Sequence, residues 1–394
     1  MLRAKKIKLK VQKADEKALE FMQGKCRGLY NWWIGKLKNG EKWELFSAKK
    51  SLQGSKKYDP ELAKVYGKLL AEVYFRIDKA MKAFFSRLKT SQKAGFPRFR
   101  PRHEFFTLVY PAMYIKIDGK KIILPTGGKG KEKNFPNIIS TLTEKPPDNF
   151  REVAITKDSR GNYYCSFVYE AITKEARIKE DGVLAIDLGI KTLACCVNQE
   201  KKFYHVGGFK GYRWFNKQLD NIRSKRDKCK KKSRNFLRLS EVYKRVSEKK
   251  RNKLKDSLHK ASHLIAHKLA ESAVVIGDLS QRQMVEKSEN KYKNRTVFNE
   301  WGLYTFVQML SYKLESLGKK LFKISERDTS KECHKCHNNQ DMPLSKRVYK
   351  CHNCGLVMDR DENSALNILE RFFARPGPYT LSTCDVSGVP ENQN

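Results

Sequence analysis

The chain has 394 residues, of which 40% are hydrophobic, and its 82 Lys and Arg against 43 Asp and Glu leave a net charge of +39. Such a surplus repels itself in a compact fold unless a polyanion neutralises it, and nucleic acid is the natural polyanion because each basic side chain at a phosphate releases a counterion. The sequence shows no apolar run of signal-peptide or transmembrane length, so we expect a cytoplasmic protein.

The first part of the chain changes from a strand pattern to helix patterns and back. Residues 5–12 alternate basic and apolar side chains, which predicts a strand. Residues 15–37 turn helical, and residues 60–88 keep apolar side chains three to four positions apart, as amphipathic helices do. Residues 105–170 are typical of short strands joined by Asp-Gly and Arg-Gly-Asn turns.

A second pattern begins near Gly182 and has a different element order. We predict strands at 183–187, 192–197, 202–206, 272–279 and 320–326, a helical hairpin at 209–270, and helices at 301–317 and 363–373. Three strands, a helix, a strand, a helix and a strand form the element order of an RNase H-like fold. In that fold the first, fourth and fifth strands run parallel, so their carboxyl ends meet at one edge, where open sheets place their sites.

Four cysteines predict a metal site. Cys333 and Cys336 form one Cys-x-x-Cys pair, Cys351 and Cys354 form another, and fourteen residues separate the pairs. Two such pairs on two loops can supply four thiolates to one tetrahedral Zn²⁺, and a ribbon this small has too little core to fold without metal. The other six cysteines have no such spacing, and we interpret them as ordinary buried or surface residues.

Two aspartates are candidates for catalysis. Asp187 ends an apolar strand, at the exposed end of a buried sheet. Asp361 lies at the start of the last predicted helix, directly after the cysteine ribbon, where an acidic residue is also an ordinary cap or dipole partner. Phosphodiester hydrolysis needs about three acidic side chains that hold two divalent ions roughly 4 Å apart.

Several motifs together resemble the transposon-encoded TnpB proteins, RNA-guided DNA nucleases related to the miniature type V CRISPR effectors. Residues 185–192 (Ala-Ile-Asp-Leu-Gly-Ile-Lys-Thr) resemble the first RuvC motif of that family, and residues 359–368 resemble the third, with the cysteine ribbon before it. Residues 78–85 with 95–99, and residues 27–32, resemble its N-terminal helical region. The resemblance implies that Asp187 and Asp361 are the first and third catalytic carboxylates, with Mg²⁺ as cofactor, and that guide RNA and target double-stranded DNA are the partners.

The second catalytic carboxylate of the family is missing. The usual Glu-Asp-Leu at the end of the fourth strand is Gly277-Asp-Leu here. In one interpretation the enzyme is inactive and acts as an RNA-guided repressor. In a second, Glu326 on the neighbouring strand fills the gap that Gly277 leaves, since strands lie about 4.8 Å apart. In a third, Asp278 serves after a local twist, although adjacent strand residues point to opposite faces.

Basic and aromatic segments are candidates for nucleic-acid contact. Residues 223–255 contain sixteen Lys or Arg and three acidic residues, an imbalance that favours phosphate contact over a solvated helix face. The residues that we select are Phe96, Arg98, Phe99, Arg100, Lys225, Arg226, Lys230, Lys231, Lys232 and Arg234.

The sequence thus predicts an α+β multidomain protein. Residues 1–12 with 105–178 are expected to form a small β-barrel, and residues 13–104 a helical recognition insert. Residues 180–373 are expected to form an RNase H-like (RuvC) α/β nuclease domain with an inserted zinc ribbon at 328–358, followed by a disordered tail at 374–394. The predicted activity is RNA-guided cleavage of DNA beside a short target-adjacent motif. A transposase proper is a further alternative, but nothing in the sequence specifies recognition of transposon ends.

Overall fold

The chain divides into two compact units. The computed structural model describes residues 2–53, 59–90, 94–128, 135–171, 182–279, 285, 294–297, 301–343 and 346–374. Unit 1 is Met1–Ala171 and unit 2 is Ile172–Asn394. The predicted disordered tail lies, apart from Ala374, outside the described residues. Within the described part of the chain, no helix is long and apolar enough to cross a membrane.

Unit 1 contains a seven-stranded antiparallel sheet. Its strands are β1 (Leu2–Lys10), β2 (Leu108–Pro111), β3 (Lys116–Asp118), β4 (Lys121–Leu124), β5 (Ile138–Leu142), β6 (Phe150–Lys157) and β7 (Tyr163–Glu170). The order is β2-β6-β7-β1-β5-β4-β3, so the first strand of the chain lies at the centre. Its alternation buries Ile7 and Leu9, as the sequence predicts. The edge strands β2 and β3 do not pair with each other among the described residues, so closure into a barrel stays a prediction.

The helices of unit 1 lie between β1 and β2 in the chain. They are α1 (Lys13–Lys38), α2 (Leu45–Lys50) and α3 (Gly67–Lys89), with a 3₁₀ turn at Pro60–Lys64. The helix predicted for 60–88 is therefore interrupted. The cause is tertiary, because the Tyr66 backbone N–H donates to the Thr126 carbonyl at 2.8 Å instead of to the preceding turn.

Unit 2 is built around a five-stranded mixed sheet. Its strands are β8 (Val183–Asp187), β9 (Ala194–Val197), β10 (Phe203–Val206), β11 (Ala273–Gly277) and β12 (Lys320–Ile324). The order is β10-β9-β8-β11-β12, in which β8, β11 and β12 run parallel and β9 and β10 are antiparallel. The predicted parallel arrangement of the first, fourth and fifth strands is confirmed, and their carboxyl ends meet at one edge.

Helices cover both faces of this sheet. They are α4 (Tyr212–Asp227), α5 (Arg234–Leu264, continued by a π-helical turn at Ile265–Leu269), α6 (Leu303–Ser316) and α7 (Arg360–Phe373). Leu184 and Ile186 pack in the core that α5 and α6 share, whereas Val183 and Ala185 pack in the core beneath α7. The predicted hairpin and the helix at 301–317 are confirmed within two or three residues of their ends.

Two predicted boundaries in unit 2 differ from the structure. Strand β12 ends at Ile324, so Glu326 lies two residues beyond it. Helix α7 begins at Arg360 and not at Asn363, because the Asp359 carboxylate accepts from the backbone N–H groups of Asp361 and Glu362 and caps the first turn. A small antiparallel hairpin, β13 (Val348–Lys350) with β14 (Val357–Asp359), carries the second cysteine pair and leads directly into α7.

Candidate active site

The alternation of the strands brings three residues to the same face at the carboxyl edge of the unit 2 sheet. Asp187 follows Val183 and Ala185 on the face beneath α7. Gly277 follows Ala273 and Val275 on that face. Glu326 comes two residues after Ile324, which packs in the same core, so the period of two keeps Glu326 on the α7 face. Asp361 reaches the edge from the first turn of α7.

These carboxylates line one cavity of ≈ 500 Å³. Asp187, Glu326 and Asp361 contribute to its wall together with Arg347 and Arg360. Other side chains around the same cavity come from the loop after β8, the first turn of α4, the residues before α6 and the segment after β12. The structure therefore brings together the three carboxylates selected from the sequence.

Gly277 and Glu326 fit against each other. A Cβ atom placed on Gly277 would lie 2.2 Å from the Glu326 Oε2 and 2.7 Å from the Glu326 Cβ. Neither distance is possible between non-bonded atoms, so a glutamate at position 277 and the observed Glu326 are mutually exclusive. Asp278 does not take this place, because its side chain is 68% exposed and lies 3.9 Å from the Lys323 Nζ.

Burial and neighbouring negative charges raise the pKa of two of the carboxylates. Burial, together with the negative charges of Asp361 and Glu326 and against a lowering by Arg360, raises the pKa of Asp187 to about 8. Burial, followed by the charge of Asp278, raises the pKa of Glu326 to about 7. The Glu326 Oε2 is buried and has no hydrogen-bond partner among the described residues. A buried acceptor without a donor, beside two further carboxylates, fits a divalent cation.

Asp361 is held by two arginines. The Arg347 Nη1 donates to both carboxylate oxygens, at 3.2 and 3.0 Å, and the Arg360 Nη2 donates to Oδ1 at 3.1 Å. The Asp361 side chain is 13% exposed. A cation bound at this edge must therefore share Asp361 with guanidinium groups. Neither arginine is predicted from the sequence, since no spacing or pattern marks their approach to Asp361.

The four cysteines form the tightest metal-ligand group of the described residues. Their sulfur atoms all lie within 4.8 Å of one another, and the three carboxylates form no group that close. The Sγ atoms of Cys333 and Cys354 are 3.6 Å apart, and those of Cys336 and Cys351 are 3.5 Å apart. Tetrahedral zinc with Zn–S bonds of about 2.3 Å requires sulfur atoms roughly 3.8 Å apart. The cluster is therefore compatible with zinc.

Both cysteine pairs use the same turn. The backbone N–H of His337 donates to the Cys333 carbonyl at 2.8 Å, and that of Gly355 donates to the Cys351 carbonyl at 3.1 Å. Both residues have left-handed backbones, with φ of 57° and 70°. A backbone N–H at Asn338 lowers the pKa of Cys336 to about 6, which favours the thiolate that binds metal.

The segment around the first cysteine pair is hydrogen-bonded to α7. The Asn363 Nδ2 donates to the Glu332 carbonyl at 2.7 Å, and the His334 backbone N–H donates to the Asn363 Oδ1 at 3.0 Å. One helical turn later, the Asn367 Nδ2 donates to the carbonyls of Thr329 and Glu332, both at 2.8 Å. Asn363 and Asn367 are 0% and 2% exposed, so these bonds lie in a buried interface between the cysteine ribbon and the helix that carries Asp361.

The four nucleic-acid candidates in unit 1 have different surroundings. Phe96 packs against Phe84, with ring centroids 5.3 Å apart, and is partly buried against the unit 1 core. Phe99 is 49% exposed, and the Lys38 Nζ lies 4.4 Å from its ring centroid. Arg98 and Arg100 are exposed. Phe99 thus presents an open ring beside cations, whereas Phe96 has a packing role.

The six candidates in unit 2 follow the α4–α5 hairpin. Five are exposed, namely Lys225, Lys230, Lys231, Lys232 and Arg234. Arg226 is the exception, because its guanidinium group donates to Asp227 and lies within 6 Å of two rings, at 5.7 Å from Phe236 and 5.5 Å from Tyr243. Arg226 therefore contributes to packing between the two helices.

Comparisons with known proteins agree with the motifs. Residues 166–288 match a family model described as a probable transposase (OrfB_IS605), and residues 304–368 match the TNB domain of Cas12f1-like proteins. The chain is similar to TnpB-like protein L79 of Acanthamoeba polyphaga mimivirus, with 28% identity over 271 residues, which is 64% of this chain and 49% of the relative. It is similar to TnpB-like protein MJ0751 of Methanocaldococcus jannaschii, with 30% identity over 156 residues, which is 39% of this chain and 55% of that relative.

A solved structure shares the fold. A Cas12f1 structure in complex with sgRNA and target DNA aligns with a TM-score of 0.62 and 16% identity, over 91% of this chain and 83% of that one. The chain spans about half the length of the curated relatives that it matches. The two family models match successive parts of the chain, and the relatives from a virus and an archaeon are both TnpB-like, so the comparisons together support a TnpB-family protein related to the miniature type V effectors.

Proposed function

We propose that this protein is an RNA-guided DNA endonuclease that hydrolyses phosphodiester bonds with Mg²⁺ held by Asp187, Glu326 and Asp361. The observation that carries the proposal is the fit of Glu326 against Gly277. It supplies a third, buried carboxylate at the sheet edge, with an oxygen that lacks a donor among the described residues. A chain that had simply lost its second catalytic glutamate would have no reason to bury another one at the same edge.

The three carboxylates have distinct tasks in this mechanism. When bound, Mg²⁺ would supply an activated water and would stabilise the leaving oxygen. Asp187 and Glu326 must release protons to act as ligands, since burial raises the pKa of both in the metal-free protein. Asp361 is already paired with Arg347 and Arg360, which orient its carboxylate. Both arginines line the cavity and can turn to the negatively charged phosphate of the substrate.

The remaining parts of the molecule are proposed to bind nucleic acid and to support the site. Zn²⁺ on the four cysteines stabilises the ribbon at 328–358, which in turn positions α7. The net charge of +39 and the exposed lysines of the α4–α5 hairpin favour contact with guide RNA and target DNA. In unit 1 we propose the barrel of residues 1–12 and 105–178 with the helical insert 13–104.

A second candidate function rests on the same position. Gly277 stands where the family has its usual glutamate, and a two-metal site without one ligand loses most of its activity. The alternative is therefore an RNA-guided protein that binds DNA without cutting it. It predicts target binding and no cleavage at any Mg²⁺ concentration.

Cleavage of a matched double-stranded target by the ribonucleoprotein tests the proposal. Glu326→Gln should abolish cutting in Mg²⁺ while leaving guide-RNA binding unchanged, because it preserves the shape of the side chain and removes its charge. Asp278→Asn is the matched control, since it removes the neighbouring exposed carboxylate. Full activity of Glu326→Gln would rule out the rearranged site. Target binding without cutting by the unmodified protein would favour the alternative.

A further inference from the structure

The cavity that contains the carboxylates is also lined by aromatic and apolar side chains, for which metal binding has no use. Tyr212 and Arg213 reach it from the first turn of α4, Trp301 from the segment before α6, and Leu279 from the end of the β11 segment. A site that only held two cations and a phosphate would need polar walls. A flat apolar surface, the positively charged side chain of Arg213 and the carboxylates are together what a whole nucleotide requires.

Trp301 is buried and its polar atom is unused. The residue is 6% exposed, and its Nε1–H has no hydrogen-bond partner among the described residues. Its backbone is fixed, because its own N–H donates to the Thr296 carbonyl at 2.9 Å. Buried indole N–H groups usually find an acceptor, so an unpaired donor on a residue that lines an open cavity points to a ligand with an oxygen or nitrogen acceptor.

Tyr212 and Arg213 add a ring and a positive charge. Tyr212 is partly buried, Arg213 is exposed, and the Arg213 guanidinium lies 5.9 Å from the Tyr212 ring centroid. Within the described residues Arg213 forms no ion pair, whereas Arg347 and Arg360 each pair with Asp361. The free guanidinium beside a ring is suited to a phosphate that follows a stacked base.

We propose that Tyr212, Arg213 and Trp301 form a subsite for one unpaired nucleotide of a DNA strand, next to the phosphate that is cut. The Tyr212 ring packs on the base, the Trp301 Nε1–H donates to an acceptor on the base or sugar, and Arg213 pairs with the adjoining phosphate. The inference rests on the proposed nuclease function and adds to it how the strand is oriented at the carboxylates.

The size of the cavity favours a single strand. About 500 Å³ accommodates one nucleotide, whereas the two paired strands of a duplex cannot enter it. Stacking on an aromatic ring also needs an unstacked base, and it tolerates every base because each has a π-face. The subsite therefore selects unpaired strand over duplex, with little preference for sequence.

Binding of a short DNA probe tests the subsite separately from catalysis. The probe is a fluorescein-labelled tetranucleotide of single-stranded DNA, titrated with the full-length Asp187→Ala protein so that no cleavage occurs. Tyr212→Ala should weaken binding by about 5- to 160-fold, the range for loss of one base stack. Arg213→Ala should weaken it and reduce the dependence on salt by roughly one phosphate contact. Trp301→Phe keeps an aromatic ring but removes the N–H with the five-membered ring, so it should weaken binding because the acceptor on the base or sugar loses its donor.

A neighbour on the same helix serves as the control. Trp214 is 58% exposed and does not line the cavity. Trp214→Ala should bind the tetranucleotide as the parent does, and thermal unfolding should show that all variants are folded. If Trp301→Phe does not fold, Tyr212→Ala and Arg213→Ala still decide the matter.

The outcomes separate the two proposals. If the unmodified protein cuts DNA, and Tyr212→Ala and Arg213→Ala bind the probe and cut at unchanged rates, the subsite is wrong and the nuclease assignment stands. If the unmodified protein never cuts, but the probe binds and binding needs Tyr212 and Arg213, the nuclease assignment fails and the subsite stands. Equal binding of single-stranded and duplex probes would also overturn the subsite, because a duplex cannot enter the cavity.

Discussion

The substitution Gly277→Ala adds one methyl group at the point where the rearranged site is tightest. The new Cβ would lie 2.2 Å from the Glu326 Oε2 and 2.7 Å from the Glu326 Cβ. To restore an ordinary contact, the carboxylate oxygen must move by roughly 1 Å or more. Rotation of the side chain cannot relieve the contact with Cβ, so the backbone after β12 must move as well. Overpacking of this kind costs about 1–3 kcal/mol of stability.

The activity should fall further than the stability. A ligand or reacting group that is misplaced by about 1 Å can slow a reaction on the order of 10²-fold. We therefore expect Gly277→Ala to fold, to bind guide RNA and target, and to cut matched DNA about 100-fold more slowly in single-turnover assays with saturating Mg²⁺. Gly207→Ala is the control, since its methyl group would meet nothing within 4 Å.

A relocation variant sharpens the same test. Glu326→Gly alone should be inactive, whereas Gly277→Glu combined with Glu326→Gly returns a carboxylate to the usual position of the family and should recover part of the cleavage. Wild-type cutting by Gly277→Ala, or no difference between Glu326→Gly and the double variant, would refute the idea that these two positions exchange one metal ligand.

Three further predictions concern the ribbon and the charges. Cys351→Ser should lose bound zinc and cleavage together, whereas Cys229→Ser, outside the cluster, should keep both; normal cutting by a folded, zinc-free protein would contradict the coupling. Arg347→Gln should raise the affinity for Mn²⁺ several-fold in a titration, because the guanidinium no longer competes with the metal for Asp361. The same variant should slow cleavage, because Asp361 also loses the partner that positions it. An unchanged Mn²⁺ affinity would argue against competition. Because the pKa of Asp187 is raised to about 8, the metal-free folded protein keeps a proton that the unfolded chain releases above about pH 4. The free energy of unfolding should therefore fall as pH rises from about 4 to 8, and the affinity for Mn²⁺ should rise over the same range. Mn²⁺ binding that does not depend on pH would contradict this.

Local patterns in the sequence were enough for most of the elements and for the four-cysteine cluster. The apolar run before Asp187, the alternation of β1 and the amphipathic period of α6 each depend on near neighbours, because a strand or helix repeats its environment every two or 3.6 residues. The spacing of the two Cys-x-x-Cys pairs likewise predicts that their four sulfur atoms lie together. The parallel arrangement of β8, β11 and β12 followed from the element order, and with it the edge at which Asp187 and Asp361 meet.

Contacts between distant parts of the chain required the folded structure. The sequence suggested Glu326 as a strand residue, but its position two residues beyond β12, pressed against Gly277, depends on how two strands end side by side. Arg347 meets Asp361 only because the ribbon hairpin returns to the start of α7. The interruption before α3 comes from one carbonyl, at Thr126, which no helical period can reveal. Periodicity records the environment of each residue along its own element, whereas packing between elements decides which residues become partners.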